Sequence, residues 1–387
     1  MKKIISILGS TGSIGHTTLK ILDKKKNTFI PYLFSANKNL KLICSQIKKY
    51  KPKIFLINNE KVYDKVKKKF KNNKILIINN LEIKYLKRNS DITILAIPGI
   101  SGLLPTLSMI KKSKKVLVAN KESIICGWHL INRNSKKYKT KIIPVDSEHF
   151  SILKLLEHSK VSSIDKVYLT ASGGPFLGFK TNQLKKVKSS DALKHPKWRM
   201  GKKISIDSAT LMNKVLEYIE AQKLFKLSKK NLEILIHPES LVHAIIKFKN
   251  GLTKFIYHDT SMIIPIANAI FDNNFEINSF LKTNKKFENL TFKLPKKQNF
   301  PIIKILDRVN EHPSTSIIIN ASNEVLVEHF LRKKLPFLGI STIIKNILRD
   351  RNYKKYAIKV PNNLKQINIV NSWAKTRTLE MINSRYD

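Results

Sequence analysis

Acidic residues are scarce in this sequence: its 387 residues carry 27 Asp and Glu against 73 Lys and Arg, for a formal net charge of +46. Cysteine is nearly absent. Cys44 and Cys126 stand alone without metal-like spacing, which excludes a cysteine-built metal site and points to a reducing, cytoplasmic compartment. No apolar run approaches the ~18 residues that a membrane helix needs, so no membrane association is expected. The opening MKKIISILGS is too briefly apolar for a signal peptide and runs straight into glycines, so it reads as a first strand. Arginine is sparse as well. The lysine runs (Lys24 to Lys26, Lys67 to Lys69, Lys111 to Lys115, Lys229 and Lys230) are spread over every segment rather than gathered between aromatics. That argues for solvated faces and against a nucleic-acid site, although the field still attracts anionic small molecules.

What is present supports two or three packed domains, with 42% hydrophobic residues over this length. Residues 4–8 form an apolar strand pattern, followed at once by Gly9-Ser-Thr-Gly12-Ser-Ile-Gly15 and a helical pattern through Thr17, Leu19 and Leu22. In that order, glycines let a pyrophosphate reach the backbone and its charge meets a helix N-terminus, as in a dinucleotide site. The second strand, 30–34, ends in Ser35-Ala-Asn37-Lys38-Asn39. No carboxylate stands there for ribose hydroxyls, whereas Lys38 among small polar residues suits a 2′-phosphate, so NADP is expected over NAD. Strands at 54–57, 75–78, 92–97, 116–119 and 141–145 alternate with helical segments, as in a doubly wound parallel sheet. Ligands bind such sheets beyond the strands' carboxyl ends. Weight therefore falls on Pro98-Gly99-Ile-Ser-Gly102, Asn120-Lys121-Glu122-Ser123 and Asp146-Ser147-Glu148-His149.

Asp146 and Glu148, two apart after a strand, begin an oxygen-ligand site for Mg²⁺ or Mn²⁺, and equally read as the cap and first turn of a helix. After a strand at 167–170, Ser172-Gly173-Gly174-Pro175 is either a second phosphate loop or a plain turn. The densest stretch, 195–221, is expected to open a helix at Asp207 or Ser208, with Leu211, Met212, Val215, Leu216 and Ile219 as its apolar stripe. Asn213 and Glu217 then share a face with Lys214 alongside. Serine, amide and ammonium cradle an anion there, and Glu217 adds a third carboxylate for a cation. A capped amphipathic helix with ordinary surface polars is the plainer alternative. A strand at 233–236 leads to His237 and His243, and a lone histidine is more often structural than catalytic. Residues 271–300 turn Asn- and Lys-rich, like a linker. The rest is mainly helical, with Asn320-Ala-Ser-Asn-Glu324 opening an amphipathic pattern that carries no obvious chemistry.

Taken together, these blocks resemble one family, the 1-deoxy-D-xylulose 5-phosphate reductoisomerases. The residues that carry the resemblance are GSTGSIG (9–15), GLLPTL (102–107), ANKES (119–123), PVDSEH (144–149), TASGGPF (170–176), HPKWRMGKKISIDSATLMNK (195–214), LEYIEA (216–221), IHPESLVHA (236–244) and NASNE (320–324). The resemblance implies conversion of 1-deoxy-D-xylulose 5-phosphate to 2-C-methyl-D-erythritol 4-phosphate in the non-mevalonate isoprenoid pathway. NADPH and a divalent metal, Mg²⁺ or Mn²⁺ with Co²⁺ as a further candidate, are its implied cofactors. It implies an α/β chain with an N-terminal Rossmann-type NADP-binding domain (1–145) and an α+β catalytic middle domain (146–271). A linker (272–300) and a C-terminal helical bundle (301–387) complete the subunit of a homodimer.

Position by position, Thr11, Gly12, Ser13 and Ile14 match the loop on the NADPH pyrophosphate, and Asn37, Lys38 and Asn39 the ribose and 2′-phosphate contacts. Asn120, Glu122 and Gly201 match further cofactor contacts. Asp146, Glu148 and Glu217 match the metal ligands, and Lys121, Ser147, Glu148 and Glu217 surround the reacting carbons. Ser172, His195, Ser208, Asn213 and Lys214 match the phosphate pocket. Residues 195–201 match a mobile lid with Trp198 over the substrate, and His243 a second active-site histidine. Three departures stand out: Val215 and Asn37 replace usual glycines, and Ser261-Met-Ile-Ile-Pro265 lacks the usual Asp before and Arg after its Met. Val215 is expected to be tolerated on its helix, and the lost Asp and Arg to touch rate rather than reaction type. The competing reading is an NADP-dependent semialdehyde or hydroxy-acid dehydrogenase that shares only the first domain and needs no metal. A basic nucleic-acid binder stands as a third class.

Overall fold

The first apolar run becomes the middle strand of a parallel sheet. β1 (Lys3–Leu8) is followed by α1 (Ser13–Lys24), β2 (Phe29–Ala36), α2 (Leu40–Tyr50), β3 (Ile54–Ile57), α3 (Glu60–Lys69), β4 (Leu76–Ile78) and β5 (Ser90–Leu95). Then come α4 (Leu103–Ile110), β6 (Ser113–Val118), α5 (Lys121–Tyr138), β7 (Lys141–Pro144) and α6 (Ser147–Leu155). The strand order is β4-β3-β2-β1-β5-β6-β7, parallel at every pair. Ile5, Ile7, Leu8, Ile92 and Ile94 are buried, as in a sheet covered on both faces. The order reverses between β1 and β5, which opens a crevice beyond their carboxyl ends.

The structure, a computed structural model, describes residues 2–198, 200–281 and 289–386. Arg199 of the expected lid and residues 282–288 of the expected linker lie outside the described residues. Contacts divide the chain into two compact units. The first comprises Met1–Ser123, His129–Phe150 and Ser261–Asn284, and the second Ile124–Trp128, Ser151–Thr260 and Lys285–Asp387. The first unit holds the seven-stranded sheet and α11 (Ile263–Phe271).

The second unit is built on β8 (Ile164–Ala171), the single-turn helices α7 (Thr181–Leu184) and α8 (Ser189–Ala192), α9 (Lys202–Thr210), α10 (Met212–Phe225), β9 (Leu232–Ile236), β10 (Val242–Phe248) and β11 (Thr253–Tyr257). Its strand order is β11-β10-β8-β9, with β10 antiparallel to both neighbours and β8 parallel to β9. Four helices complete it: α12 (Thr315–Leu331), α13 (Phe337–Ile347), α14 (Tyr353–Ala357) and α15 (Leu364–Tyr386).

Several expected boundaries move. β2 runs on through Ser35 and Ala36, because Ser35 pairs in register with Leu8 on one side and Leu56 on the other. β10 and β11 were not expected as strands. Their signal was Asn250-Gly251, where Gly251 at φ +87 makes the tight turn that joins them. NASNE does not open a pattern; it lies inside α12, which begins at Thr315.

The helix expected to open at Asp207 or Ser208 instead begins at Lys202, capped by Gly201, and breaks at Leu211. Leu211 is held left-handed at φ 65, unfavourable by about 1–3 kcal/mol for a non-glycine residue. Its burial offsets that cost. The Thr210 hydroxyl eases the break by donating to Ile206 O at 3.0 Å and accepting from Met212 N at 3.3 Å. Asp207, far from being a cap, is buried in α9, where it accepts from Asn323 Nδ2 of α12 at 2.7 Å and pairs with Lys203 at 2.9 Å. Nor does α10 carry one apolar stripe. Val215, Leu216, Tyr218, Ile219 and Ala221 are all buried, so the helix is covered on nearly every side.

Candidate active site

The glycine loop of the first unit is shaped for close backbone approach. Gly9 sits at φ +91, and a Cβ on it would stand 2.5 Å from Ala96 O; one on Gly15 would stand 2.4 Å from Gly9 O. Gly9 N donates to Ser35 Oγ at 2.9 Å and Ser10 N to Ser35 O at 2.8 Å, which pins the loop from behind. α1 starts without a side-chain cap, so its first-turn N–H groups face outward beside exposed Gly12 and Ser13, with Thr11 and Ile14 flanking. Asn37, Lys38 and Asn39 are exposed just past β2, and Asn39 also caps α2 by accepting from Leu42 N at 3.1 Å.

At the ends of β5 and β6, Asn120 ties two loops together. Its Nδ2 donates to Ile97 O and to Gly99 O, the latter at 2.8 Å, and its Oδ1 caps α5 through Ser123 N at 2.6 Å. What Asn120 offers a cofactor is therefore its backbone. Glu122 is buried in the first turn of α5. Lys121, also buried, places Nζ 3.1 Å from Asp146 Oδ2.

Asp146 precedes α6 and caps it, with Oδ1 accepting from Glu148 N at 3.3 Å. Asp146 and Glu148 still present carboxylate oxygens within 4.8 Å of each other. Ser147 Oγ donates to Glu148 Oε2 at 2.6 Å. His149, fully buried, lies with Nδ1 3.2 Å from Asp146 Oδ1 and orients that carboxylate. The sequence reading gave His149 no role; its i, i+3 spacing from Asp146 on a helix was the available signal.

In the second unit, Gly173 (φ +82) and Gly174 (φ +64) turn the chain after β8. A Cβ on Gly174 would stand 3.0 Å from Ser208 O, so this loop packs directly on the last turn of α9, where Ser208 sits. Ser172 Oγ lies 3.0 Å from His195 Nε2 and accepts from Gly174 N at 3.1 Å. His195 Nδ1 accepts from Trp198 N at 2.9 Å and Lys197 N at 3.2 Å, which leaves its proton on Nε2, directed at Ser172. Burial and then the Lys214 charge push the His195 pKa down to about 4. The ring is therefore neutral at pH 7. The folded chain takes up fewer protons than the unfolded one between about pH 4 and 6.5, so stability present above pH 6.5 is lost as pH falls toward 4. The urea midpoint should fall more steeply over that window than in His195→Gln; parallel curves would show that His195 does not carry this burden.

α10 opens at Met212, whose N–H donates to Thr210 Oγ1 at 3.3 Å, and Asn213 and Lys214 stand in its first turn. The residues of the expected cradle are thus divided, Ser208 on α9 and Asn213 and Lys214 on α10. Asn213 Nδ2 donates to Glu217 Oε1, and Lys214 Nζ pairs with Glu217 Oε2 at 2.5 Å. Glu217 is only 1% exposed and Lys214 5%. His243 is buried on β10, its ring edge-on to Trp198 at 6.1 Å. Gly201 is exposed, and a Cβ on it would meet nothing within 4 Å, so the protein's own packing does not require glycine there.

Family models now decide the identity. One described as 1-deoxy-D-xylulose 5-phosphate reductoisomerase matches residues 5–127, and two C-terminal domain models of the same enzyme match 142–225 and 259–377. A protein of Pelagibacter ubique named 1-deoxy-D-xylulose 5-phosphate reductoisomerase is 44% identical over 98% of this chain and 100% of its own. The chain belongs to the 1-deoxy-D-xylulose 5-phosphate reductoisomerase family. A reductoisomerase of Clostridium perfringens (strain 13 / Type A) is 40% identical over 91% of this chain and 94% of its own. Among solved structures, a DOX-P reductoisomerase in complex with NADPH, fosmidomycin and magnesium superposes with TM-score 0.92 at 28% identity, covering 100% of both chains. The reductoisomerase from Zymomonas mobilis in complex with NADPH gives 0.87 at 28%, covering 99% of this chain and 100% of that one. As a member of this reductoisomerase family, the chain is an NADP-dependent oxidoreductase. Among the described residues, no helix is long and apolar enough to cross a membrane.

Proposed function

We propose that Asp146, Glu148 and Glu217 hold the divalent metal with which this chain, using NADPH, rearranges and reduces 1-deoxy-D-xylulose 5-phosphate to 2-C-methyl-D-erythritol 4-phosphate. The observation that carries the assignment is the donor set. Asp146 and Glu148 offer oxygens within 4.8 Å of each other, and Glu217 is a buried carboxylate steadied by Asn213 and Lys214. An all-carboxylate set of hard oxygens suits Mg²⁺, Mn²⁺ or Co²⁺. Such an ion, when bound, polarises substrate oxygens as a Lewis acid.

The chain's own groups supply the rest. Lys121 brings an ammonium beside Asp146, where it steadies negative charge developing on the substrate. Ser147 stands beside Glu148, at the reacting carbons. Neutral His195 donates to Ser172, so the Ser172 hydroxyl hydrogen turns toward the phosphate. Ser208, Asn213 and Lys214 complete the phosphate grip, and Trp198 covers the substrate beside His243. Thr11, Gly12, Ser13 and Ile14 seat the NADPH pyrophosphate, and Asn37, Lys38 and Asn39 its 2′-phosphate side. Asn120, Glu122 and Gly201 add contacts, with bare backbone at Gly201 admitting the cofactor. Gly15→Ala should weaken NADPH binding about 10- to 100-fold, because the added methyl forces the loop open. Fluorescence titration reads this, and wild-type affinity would remove the loop from the cofactor site.

The domain reading kept here is 1–145, 146–271, 272–300 and 301–387. A cytoplasmic homodimer without a nucleic-acid role is the matching assembly. Cys44 and Cys126, both buried and not joined in a disulfide, support the compartment. Edge strand β11 beside exposed Leu252 and Phe255 supports pairing with a second copy. The test is NADPH consumption with 1-deoxy-D-xylulose 5-phosphate and Mg²⁺ or Mn²⁺, repeated with chelator. Turnover that stops on chelation supports the metal-dependent reading. Turnover that survives it returns the chain's mechanism to the dehydrogenase alternative.

A further inference from the structure

His258 belongs to no element assigned above, yet it is one of the more constrained side chains in the second unit. It follows β11 directly, and its N–H closes the ladder on Leu241 O at 2.9 Å. Its ring lies flat on that of His243, with centroids 3.9 Å apart and planes 18° from parallel. His258 Nδ1 is 2.8 Å from Asp259 O, and a carbonyl only accepts, so the proton sits on Nδ1. Nε2 is then a bare lone pair. It has no hydrogen-bond partner among the described residues, in a residue 8% exposed. A buried acceptor without a donor works against stability, and an aliphatic ring cover would serve packing alone at least as well.

The same reasoning fixes the tautomer of His243. Its Nε2 lies 3.3 Å from His258 O, again an acceptor only, so Nε2 carries the proton. Two imidazoles face to face at this spacing cannot both be charged, and burial holds His258 neutral by lowering its pKa. Trp198 also meets His243, edge-on at 6.1 Å and 70°. His243 thus contacts both rings, linking the residue after β11 to the segment that carries His195 and Trp198.

We infer that His258 is a positioning residue for the reductoisomerase reaction: its ring holds the ring of His243 in one plane, and through it gives Trp198 a fixed surface to close on. The inference rests on the reading of His243 and Trp198 as active-site residues. His258 itself touches neither substrate nor cofactor in this account; it acts only through His243. An aromatic six-membered ring at 258 reproduces the stack without the nitrogens, which separates the role of the ring face from that of Nε2.

The experiment compares His258→Ala, His258→Phe and His243→Ala in full-length enzyme, with kcat and KM measured separately and the ¹⁵N shifts of the labelled imidazoles recorded. The expected result is a kcat about tenfold lower in His258→Ala, with the KM for NADPH unchanged and the His243 ¹⁵N shifts displaced by loss of the stacked ring, while the His258 backbone carbonyl keeps the proton on Nε2. His258→Phe should restore most of kcat. Unchanged kcat and unchanged His243 shifts in His258→Ala, with His243→Ala impaired, would overturn the inference and leave His243 in the site. Full activity in His243→Ala would overturn the underlying site reading instead, and the inference with it.

Discussion

Glu217→Gln is expected to lower turnover on the order of 10³-fold while leaving NADPH affinity unchanged. The substitution keeps the shape and removes one negative charge from the proposed metal site. Glu217 is 1% exposed and bonded to Asn213 and Lys214, so the amide also removes a counter-charge from beside the buried Lys214 ammonium. That loss costs about 3–5 kcal/mol of stability, which is why thermal melts must accompany the kinetics. Glu217→Asp, which keeps the charge, separates the two effects: it should recover stability better than it recovers rate. Turnover in folded Glu217→Gln within tenfold of wild type would show that the metal is held elsewhere.

Lys214→Ala should act mainly on substrate binding. A buried ammonium on a phosphate is a charge-assisted contact of about 1.5–3 kcal/mol, so the substrate KM should rise about 10- to 100-fold with a smaller fall in kcat. A second readout comes from His195. The Lys214 charge is the lesser of the two causes that hold the His195 pKa down at about 4; burial is the larger. Removing the ammonium should therefore move the His195 titration upward without restoring it to 6.5. Proton NMR of the imidazole follows this directly. An unchanged KM would take Lys214 out of the phosphate grip, and an unchanged His195 titration would mean that the two side chains do not sense each other.

Much of the first unit was legible in advance because its signals are local. An apolar run, a glycine loop and a helix follow one another without a gap, and each strand of the parallel sheet is an apolar run bounded by polar turns. Ser35 was misread as loop only because a small serine in a strand looks like a turn until its neighbours on both sides are known. In the second unit the residue types were legible and the helix was not. Asp207 is a good cap by type, yet it lies buried and bonded to Asn323, more than a hundred residues away in the chain. Leu211 gives no local sign of a left-handed break, because what stabilises that conformation is its burial and the back-bonding of Thr210.

The sequence by itself determined the family and the cofactor class. These depend on which residue types stand at which spacing, and spacing survives without a fold. Tertiary structure alone decided how those side chains are held. It split one expected helix into α9 and α10 and so placed Asn213 and Lys214 in the first turn of the second. It set His149 against Asp146 and stacked His258 on His243. It also left His195 half-buried near the Lys214 charge and thereby kept it neutral. Contacts between distant segments and the loss of water around charged groups are properties of packing, and no local pattern encodes them.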